Sequence, residues 1–409
     1  MHKHMACLVG LAWLGVALGA GAQGEPKEIQ LKVIWDDTLK FVAPDGNYVR
    51  IDGRIMADAG FFIDDEELKR SFDDPDDASD DTDFEDASEM RRVRLGIGGM
   101  LHQNINFRLD YELSGGDLDA RDVFIGIRDL PYVGLLRVGH QREPMSLVQQ
   151  SSKYRPMMES PLAWTFSPER NTGIRATKLG FDKRLNGSYG VFRETDTTGT
   201  SVGKDDYHLT ARVAGLPYLD EENDRRVHLG LAYSHQEATD DAVRYRARPE
   251  SHLAPQLVDT GSIPADEIGV LGLEAAAQCG PYTLVAEYLQ SSIDSIDGSD
   301  PVLDGYYLMA GYILTGETRE YSSRDAGFRG IRPDKNFGDG NWGAAEVVAQ
   351  VSQLDLNDKA VSGGELTTYS AGFNWYLNVN TRVMLSYVYA DLEDVDQMHI
   401  LQTRFQVHF

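Results

Sequence analysis

Hydrophobic and polar residues alternate along most of the chain from Tyr48 onward. Segment 105–113 is a clear case: its odd-numbered positions are Ile, Phe, Leu, Tyr and Leu, and its even-numbered positions are Asn, Arg, Asp and Glu. A period of two predicts a β-strand with one apolar and one polar face. The pattern recurs in segments 48–61, 92–97, 122–128, 207–213, 227–233, 282–288, 306–312 and 383–389. The sequence therefore predicts an all-β protein.

The residues on the apolar face favour a membrane barrel over a soluble sandwich. A sandwich buries that face and needs large branched side chains there, whereas many of these positions are Ala, Gly or Tyr. The tyrosines often lie near segment ends, as in the aromatic girdles of outer-membrane barrels. Short connections alternate with long ones, the short ones at 102–104, 130–134, 279–281 and 378–380 and the long ones at 64–89, 143–171, 237–266 and 290–304. We therefore predict a transmembrane antiparallel β-barrel of about sixteen strands over residues 47–409.

Two long segments do not behave as simple connections. Loop 143–171 carries Ser, Lys and Arg residues, and we predict that it folds into the bore and forms a constriction. Segment 315–342 is long and Gly-rich, yet it falls on the side where the connections are otherwise short. Either the strand count shifts there, or a turn on that side folds inward.

The N-terminus indicates export. A basic start at Lys3, an apolar run over 6–18 and an A-x-A site at 20–22 predict a signal peptide over residues 1–22. The apolar run is shorter than the ~20 residues that a membrane helix needs. Residues 23–46 are expected to form a lead-in or a short hairpin. The expected location is the outer membrane of a Gram-negative-type bacterium.

The C-terminus also fits an outer-membrane barrel. Phe409 is the last residue and shares its parity with Leu401 and Phe405. We expect it on the lipid face of a final strand that closes against the first. Of the two cysteines, Cys7 lies in the signal peptide, so the mature chain retains Cys279 alone and has no internal disulfide.

Charge and motifs exclude several classes of function. The net charge of −26 argues against nucleic acid as a partner, because nucleic acid binds clustered Lys and Arg. The chain lacks the H-E-x-x-H, G-x-S-x-G, P-loop and C-x-x-C motifs, and its histidines lack metal-ligand spacing. No enzyme activity and no cofactor are therefore predicted. The acidic segment 64–89 is predicted to be a solvated external loop, with divalent-cation binding as the lesser alternative.

The polar face of the early strands is basic. It carries Arg50, Arg54, Arg92, Arg94, Arg108, Arg128, Arg137 and Arg175, and the long loop adds Arg142, Lys153, Arg155 and Arg170. Guanidinium groups suit phosphate and carboxylate oxygens, and rings of Arg or Lys line anion pores. The alternative is that these arginines only stiffen the wall by pairing with lumen acids. The candidate partners are Asp52, Asp58, Asp110, Glu112 and Asp122.

Several motifs resemble the phosphate-selective porin O and P family. The most specific is Gly139-His-Gln-Arg-Glu-Pro-Met-Ser-Leu147, followed by Ser151-Ser152, Met158-Glu159 and Phe166-Ser-Pro-Glu-Arg-Asn-Thr-Gly173. It is similar to the family's constriction-loop segment. Supporting matches are Asp52-Gly-Arg54, Arg91-Arg-Val-Arg94, Thr315-Gly-Glu-Thr-Arg-Glu-Tyr321, Gln353-Leu-Asp-Leu-Asn-Asp358 and Phe373-Asn-Trp-Tyr-Leu-Asn378. Ser160 stands where the family often has an arginine, and Val148 stands where an acid is common.

The resemblance implies a sixteen-stranded, trimeric outer-membrane porin with inward loops and an inward-folded turn. We predict a passive channel for small anions, with inorganic phosphate or polyphosphate as the solute and outer-membrane lipid around a homotrimer. A general non-selective or cation-preferring porin and a structural or adhesive barrel are the alternatives. The predicted anion path consists of Arg54, Arg92, Arg94, Arg142, Ser146, Ser151, Ser152, Lys153, Arg155, Arg170 and Arg175.

Overall fold

The computed structural model describes residues 30–35, 37–64, 86–149, 152–201 and 206–409. Strands dominate these residues. In chain order the strands are β1 (Lys32–Trp35), β2 (Leu39–Val42), β3 (Tyr48–Asp64), β4 (Ala87–Leu101), β5 (Ile105–Glu112), β6 (Asp119–Ala120), β7 (Val123–Leu130), β8 (Gly134–Arg142), β9 (Arg170–Gly180), β10 (Leu185–Arg193), β11 (Tyr207–Asp220), β12 (Arg225–Glu237), β13 (Ala242–Val243), β14 (Arg246–Ala247), β15 (Val258–Asp259), β16 (Ile263–Cys279), β17 (Tyr282–Ser295), β18 (Val302–Ile313), β19 (Tyr321–Ser322), β20 (Gly327–Phe328), β21 (Ala344–Asp358), β22 (Val361–Tyr376), β23 (Thr381–Leu392) and β24 (Asp396–His408). Short 3-10 helices cover Leu147–Gln149, Ser152–Tyr154, Leu162–Phe166 and Thr239–Asp241. Within these ranges, no helix is long and apolar enough to cross a membrane.

Sixteen of the strands form a closed antiparallel barrel, which confirms the predicted fold. The sixteen are β3, β4, β5, β7 to β12, β16, β17, β18 and β21 to β24. Strand β24 closes the barrel by pairing with β3, with Phe405 opposite Ala57. Beyond that strand, the Phe409 N–H donates to the Gly53 carbonyl at 3.1 Å and its carbonyl accepts from the Gly53 N–H at 2.8 Å. A Cβ on Gly53 would lie 2.7 Å from the Phe409 ring, so glycine allows the terminal residue to lie against the first strand.

The barrel wall is apolar on its outer face and polar on its inner face. On β24, Leu401 and Phe405 are exposed, whereas Gln402, Arg404 and Gln406 on the opposite face are buried. The other barrel strands have the same pattern, in which exposed Leu and Tyr alternate with buried Ser, Thr and Glu. A face that needs no polar partner suits lipid, and the inner groups find their partners within the bore.

The connections define two different ends of the barrel. The short-turn end holds the links 102–104, 131–133, 181–184, 221–224, 280–281 and 377–380, and the loop end holds the long links. Three connections at the loop end are nevertheless short: 296–301, 359–360 and 393–395. The expected long link 290–304 was therefore wrong in extent, because β17 and β18 continue their alternation into it.

The exceptional long segment, 314–343, lies at the short-turn end and folds inward. Strands β18 and β21 pair directly on either side of it, so the strand count does not shift. The Arg212 guanidinium on the wall donates to the Asp325 and Ala326 carbonyls at 3.2 and 2.9 Å. The Tyr321 hydroxyl lies 2.8 Å from Nδ1 of His228, another wall residue. Of the two explanations for this segment, the inward-folded turn is correct.

A hairpin extends the wall at the short-turn end. Strands β1 and β2 pair with Val33 opposite Phe41, and β2 pairs with β3 with Leu39 opposite Ile51. The Asn380 amide donates to the Asp37 carbonyl at 3.1 Å and to the His408 carbonyl at 2.8 Å, which joins the hairpin turn to the last strand. The predicted signal peptide and nearly all of the acidic loop 64–89 lie outside the described residues.

Two loops from the loop end fill one side of the bore, and the predicted inward-folded constriction loop is confirmed. In the constriction loop (residues 143–169), Met145, Leu162 and Phe166 are buried against inward residues of β16, β17, β18 and β21. The second loop, 238–262, adds Tyr245, whose ring lies 4.9 Å from that of Phe166. Because apolar side chains occupy this side, the open passage lies along the opposite wall.

Candidate functional site

A cavity of about 1760 Å³, part of it open to solvent, runs along the wall formed by β3 to β11. Its lining includes twelve basic and five acidic side chains. The basic residues are Arg50, Arg54, Arg94, Arg108, Arg137, Arg142, Lys153, Arg170, Arg175, Arg212, Arg324 and Arg329, and the acidic residues are Asp37, Asp52, Asp110, Asp122 and Asp325. The passage is therefore basic although the whole chain is strongly acidic.

Eight of the eleven residues predicted for the anion path line this cavity. They are Arg54, Arg94, Arg142, Ser146, Ser152, Lys153, Arg170 and Arg175. Ser151 lies outside the described residues. Arg92 and Arg155 do not line the cavity, because segment 155–160 of the constriction loop lies against β4, where Glu159 pairs with Arg91 at 2.8 Å. Arg155 hydrogen-bonds to Ser160 and borders a smaller cavity instead.

Several lining arginines are paired with lumen carboxylates. Arg94 lies 2.6 Å from Glu112, and the Arg108 guanidinium contacts Asp52 at 2.5 Å and Asp110 at 3.3 Å. Close to the loop end, Arg170 lies 3.2 Å from Asp122. These pairs agree with the alternative hypothesis that the arginines stiffen the wall, because the neighbouring carboxylate largely neutralises each guanidinium.

Five other lining cations have no carboxylate partner in the part of the chain that the structure describes. No carboxylate oxygen of those residues lies within 4.0 Å of Arg137, Arg142, Lys153, Arg175 or Arg324. Arg142 stacks on the Trp164 ring, with its guanidinium carbon 4.9 Å from the ring centroid, and none of the described residues provides an acceptor for its buried Nη1. Arg175 donates to the Arg142 carbonyl at 3.2 Å. The cationic character of the passage therefore comes mainly from these five side chains.

The two described serines of the predicted path differ in their partners. The Ser152 hydroxyl accepts a hydrogen bond from Nη1 of Arg54 at 2.8 Å, which leaves its own proton to donate. The Ser146 hydroxyl donates to the Glu287 carboxylate at 2.8 Å, so its proton is engaged with the wall. Periodicity cannot distinguish the two, because the distinction depends on a strand far away in the sequence.

Lys153 projects into the passage from the constriction loop, outside the membrane-spanning strands. Burial, followed by repulsion from Arg54, lowers the pKa of its amine to about 8. The Lys153 amine lies 5.0 Å from the centroid of the Tyr154 ring. The charge of Lys153 therefore titrates close to physiological pH.

Six lining cations were absent from the predicted path. Arg50, Arg108 and Arg137 had been assigned to the basic polar face of the early strands without a place in the path. The remaining three, Arg212, Arg324 and Arg329, had not been singled out. Arg212 belongs to the inward face of β11, and the other two belong to the inward-folded turn. The turn carries Arg319, Arg324, Arg329 and Arg332 at near-regular spacing. That spacing, in a segment long enough to enter the bore, is the signal that could have identified them.

A closed barrel of sixteen strands, apolar outside and narrowed by an inward loop beside a basic passage, defines the class of outer-membrane porins. The particular family follows from the sequence. The profile of the family described as phosphate-selective porin O and P matches residues 57–409, and the chain belongs to that family. The protein is therefore a porin channel of the bacterial outer membrane.

Individual relatives agree with the family assignment. Porin O of Pseudomonas aeruginosa is 23% identical over 360 residues, which cover 76% of this chain and 78% of that protein. An uncharacterised protein of Caulobacter vibrioides is 29% identical over 393 residues, covering 92% of this chain and 75% of that protein.

Solved structures share the barrel at low sequence identity. The anion-selective porin from Comamonas acidovorans has a TM-score of 0.56 at 13% identity, covering 89% of this chain and all (100%) of that one. The trimer form of OmpT, an outer-membrane protein of Vibrio cholerae, has a TM-score of 0.55 at 12% identity, covering 88% of this chain and 99% of that one. At these identities the likeness concerns the fold alone.

Proposed function

We propose that this porin passes small anions down their gradients and favours phosphate or polyphosphate. The observation that carries the proposal is the set of lining cations that have no carboxylate partner among the described residues: Arg137, Arg142, Lys153, Arg175 and Arg324. The family description and the printed name of the Comamonas acidovorans structure support the same class of solute.

The chemistry needs no covalent step. An anion entering the narrow passage loses part of its hydration shell, and guanidinium and ammonium donors replace the lost water. The Ser152 hydroxyl, held by Arg54, has a proton available for the same purpose. Three predicted path residues remain. Arg92 and Arg155 act on the anion by long-range attraction, and Ser151 acts from the part of the loop that the structure does not describe.

The paired arginines favour a moderate selectivity. Arg94, Arg108 and Arg170 each face a carboxylate, so they add little net potential and position the wall. The same pairs are the basis of the competing hypothesis, a porin without preference. A bore plugged for an adhesive role is the second competitor.

We also propose that the channel works as a homotrimer in outer-membrane lipid after removal of residues 1–22 during export. The trimer form of OmpT supports the assembly, and the exposed apolar outer face supports the lipid contact. Cross-linking in native membranes and N-terminal sequencing of the mature protein test these two points.

Planar bilayers test the proposed function. We expect a reversal potential under a KCl gradient that shows chloride passing more readily than potassium, and a chloride current that phosphate reduces. A reversal potential near zero would support the non-selective porin, and a cation-directed one the cation-preferring porin. The absence of any conductance would favour the structural barrel.

A further inference from the structure

Residues 146–148 of the constriction loop are attached to the wall at one carboxylate, apart from the contact that Glu143 makes with His208 at the start of the loop. Glu287 projects inward from β17 and is 3% exposed. It accepts hydrogen bonds from the Ser146 hydroxyl at 2.8 and 3.1 Å, from the Leu147 N–H at 2.7 Å and from the Val148 N–H at 3.2 Å. Three consecutive loop residues therefore converge on a single wall side chain.

The surroundings of Glu287 make it a specific attachment and not a charge pair. Among the described residues, no Lys, Arg or His nitrogen lies within 4.0 Å of its oxygens. Leu147, Val285 and Tyr307 pack around it in an apolar cluster, and the Tyr307 hydroxyl donates at 2.7 Å. A buried carboxylate without a cation depends on its hydrogen-bond donors, and three of its four donor groups belong to the loop.

From Lys153 to Met158 the hydrogen bonds run in the opposite direction, from the wall to the loop. There, wall side chains donate to loop carbonyls: Gln406 to Lys153 at 3.2 Å, Arg382 to Arg155 at 2.7 Å and Arg404 to Met158 at 2.6 Å. The segment that carries Ser152 and Lys153 is therefore suspended between these donors and Glu287.

We propose that Glu287 is a positioning residue that sets the width of the passage by holding residues 146–148 against the wall. It acts through the loop and does not contact the permeating ion. When this attachment is lost, the loop gains freedom at its 146–148 end, where Ser146 lines the passage, while Ser152 and Lys153 stay held by Arg54 and Gln406. The proposal rests on the proposed function only in that the loop borders the passage.

Three substitutions separate attachment from simple packing. Glu287→Leu keeps a buried side chain of similar size and removes every acceptor. Ser146→Ala removes one donor from the loop side of the carboxylate. Tyr307→Phe is the matched control, because it removes one donor to the same carboxylate from the wall side.

The readouts are hydrogen–deuterium exchange of peptides covering 145–149 and single-channel conductance of the full chain in bilayers. We expect Glu287→Leu to speed exchange of the Leu147 amide by about tenfold, because that buried N–H loses its acceptor. Exchange of the Val148 amide should speed up less, because that N–H also donates to the Ser146 hydroxyl at 3.0 Å. Its conductance should be larger and noisier than that of the wild type. Ser146→Ala should shift both readouts in the same direction by less, and Tyr307→Phe should leave both unchanged.

Wild-type exchange and conductance in Glu287→Leu would overturn the proposal, as would equal effects of Ser146→Ala and Tyr307→Phe. The heat-dependent shift of the barrel on gels reports whether Glu287→Leu folds. If it does not fold, the comparison of Ser146→Ala with Tyr307→Phe tests the proposal by itself. Failure of the anion proposal would appear as absent chloride preference in the wild type. Neither loop exchange nor the size of the conductance depends on that preference.

Discussion

At the scale of the residue, arginines on the same inward face have two roles. Alternation predicted correctly that Arg94, Arg108 and Arg175 point inward, because side-chain direction follows from parity. The acids that pair with Arg94 and Arg108 were among the predicted candidates, but which acid meets which arginine was not predictable. Glu112 lies opposite Arg94 on the next strand and Asp52 lies two strands from Arg108, and this register is fixed only on folding. The division into neutralised and unpartnered arginines therefore required the structure.

Trp164 should influence selectivity through Arg142. The guanidinium stacks on the indole ring and lacks a carboxylate, so the ring fixes the direction in which the charge points. Removing the ring in Trp164→Ala should weaken phosphate inhibition of the chloride current by roughly 2- to 5-fold, as expected for one cation–π contact between half-buried side chains. Trp164→Phe, which keeps an aromatic face, should lie close to the wild type. Equal losses in the two variants would contradict this role.

Lys153 should make the anion preference depend on pH. Its pKa is lowered to about 8 by burial and then by Arg54, so the amine is charged below that pH and neutral above it. The preference for chloride should decline as pH rises from 7 to 9, measured as the reversal potential under a fixed KCl gradient. Lys153→Arg should abolish the decline, because guanidinium keeps its charge throughout this range. A decline that persists in Lys153→Arg would show that another group titrates.

At the scale of the element, inward folding distinguishes this barrel from a simple ring of strands. The sequence predicted that 143–171 enters the bore and left two explanations for 315–342. It did not predict that 238–262 also folds inward. Apolar positions in that loop, such as Tyr245 and Leu257, have no regular period, and their burial depends on contacts with Phe166 and distant strands.

Arg404 should be the most costly single ionic contact to remove from the loop–wall junction. Its side chain is fully buried and bridges Asp58 of β3, at 2.6 Å, to Glu159 of the loop, at 2.7 Å. Glu159 keeps Arg91, but Asp58 would be left as a buried charge without a partner. Arg404→Met should therefore lower the free energy of unfolding by about 3 kcal/mol.

Urea unfolding of the barrel in detergent, followed by tryptophan fluorescence, measures this cost. Arg244→Gln is the control, because its pair with Asp259 is solvent-exposed and contributes little. If the two variants are equally stable, the bridge at Arg404 does not hold the loop.

At the scale of the whole molecule, the net charge of −26 says little about the passage. The cavity lining has more basic than acidic side chains, because selectivity depends on which residues face the narrow bore. The outer face follows a different rule, since lipid selects apolar side chains at alternate positions. Because of this alternation, the barrel architecture could be predicted from the sequence. The electrostatic potential along the passage could not, because it depends on which arginines pair with carboxylates.

The most direct test of the account is the reversal potential of Arg142→Glu combined with Lys153→Glu under a KCl gradient. Both residues line the passage, and no described carboxylate pairs with either of them, so reversing their charges changes the local potential where the ion passes. Arg244→Glu with Lys359→Glu is the control, because it makes the same formal change of charge outside the cavity lining.

We expect the Arg142/Lys153 variant to lose or invert its preference for chloride, and the control to keep it, while both variants retain a folded barrel on gels. An unchanged chloride preference in the Arg142/Lys153 variant would contradict the central claim that these side chains select the ion.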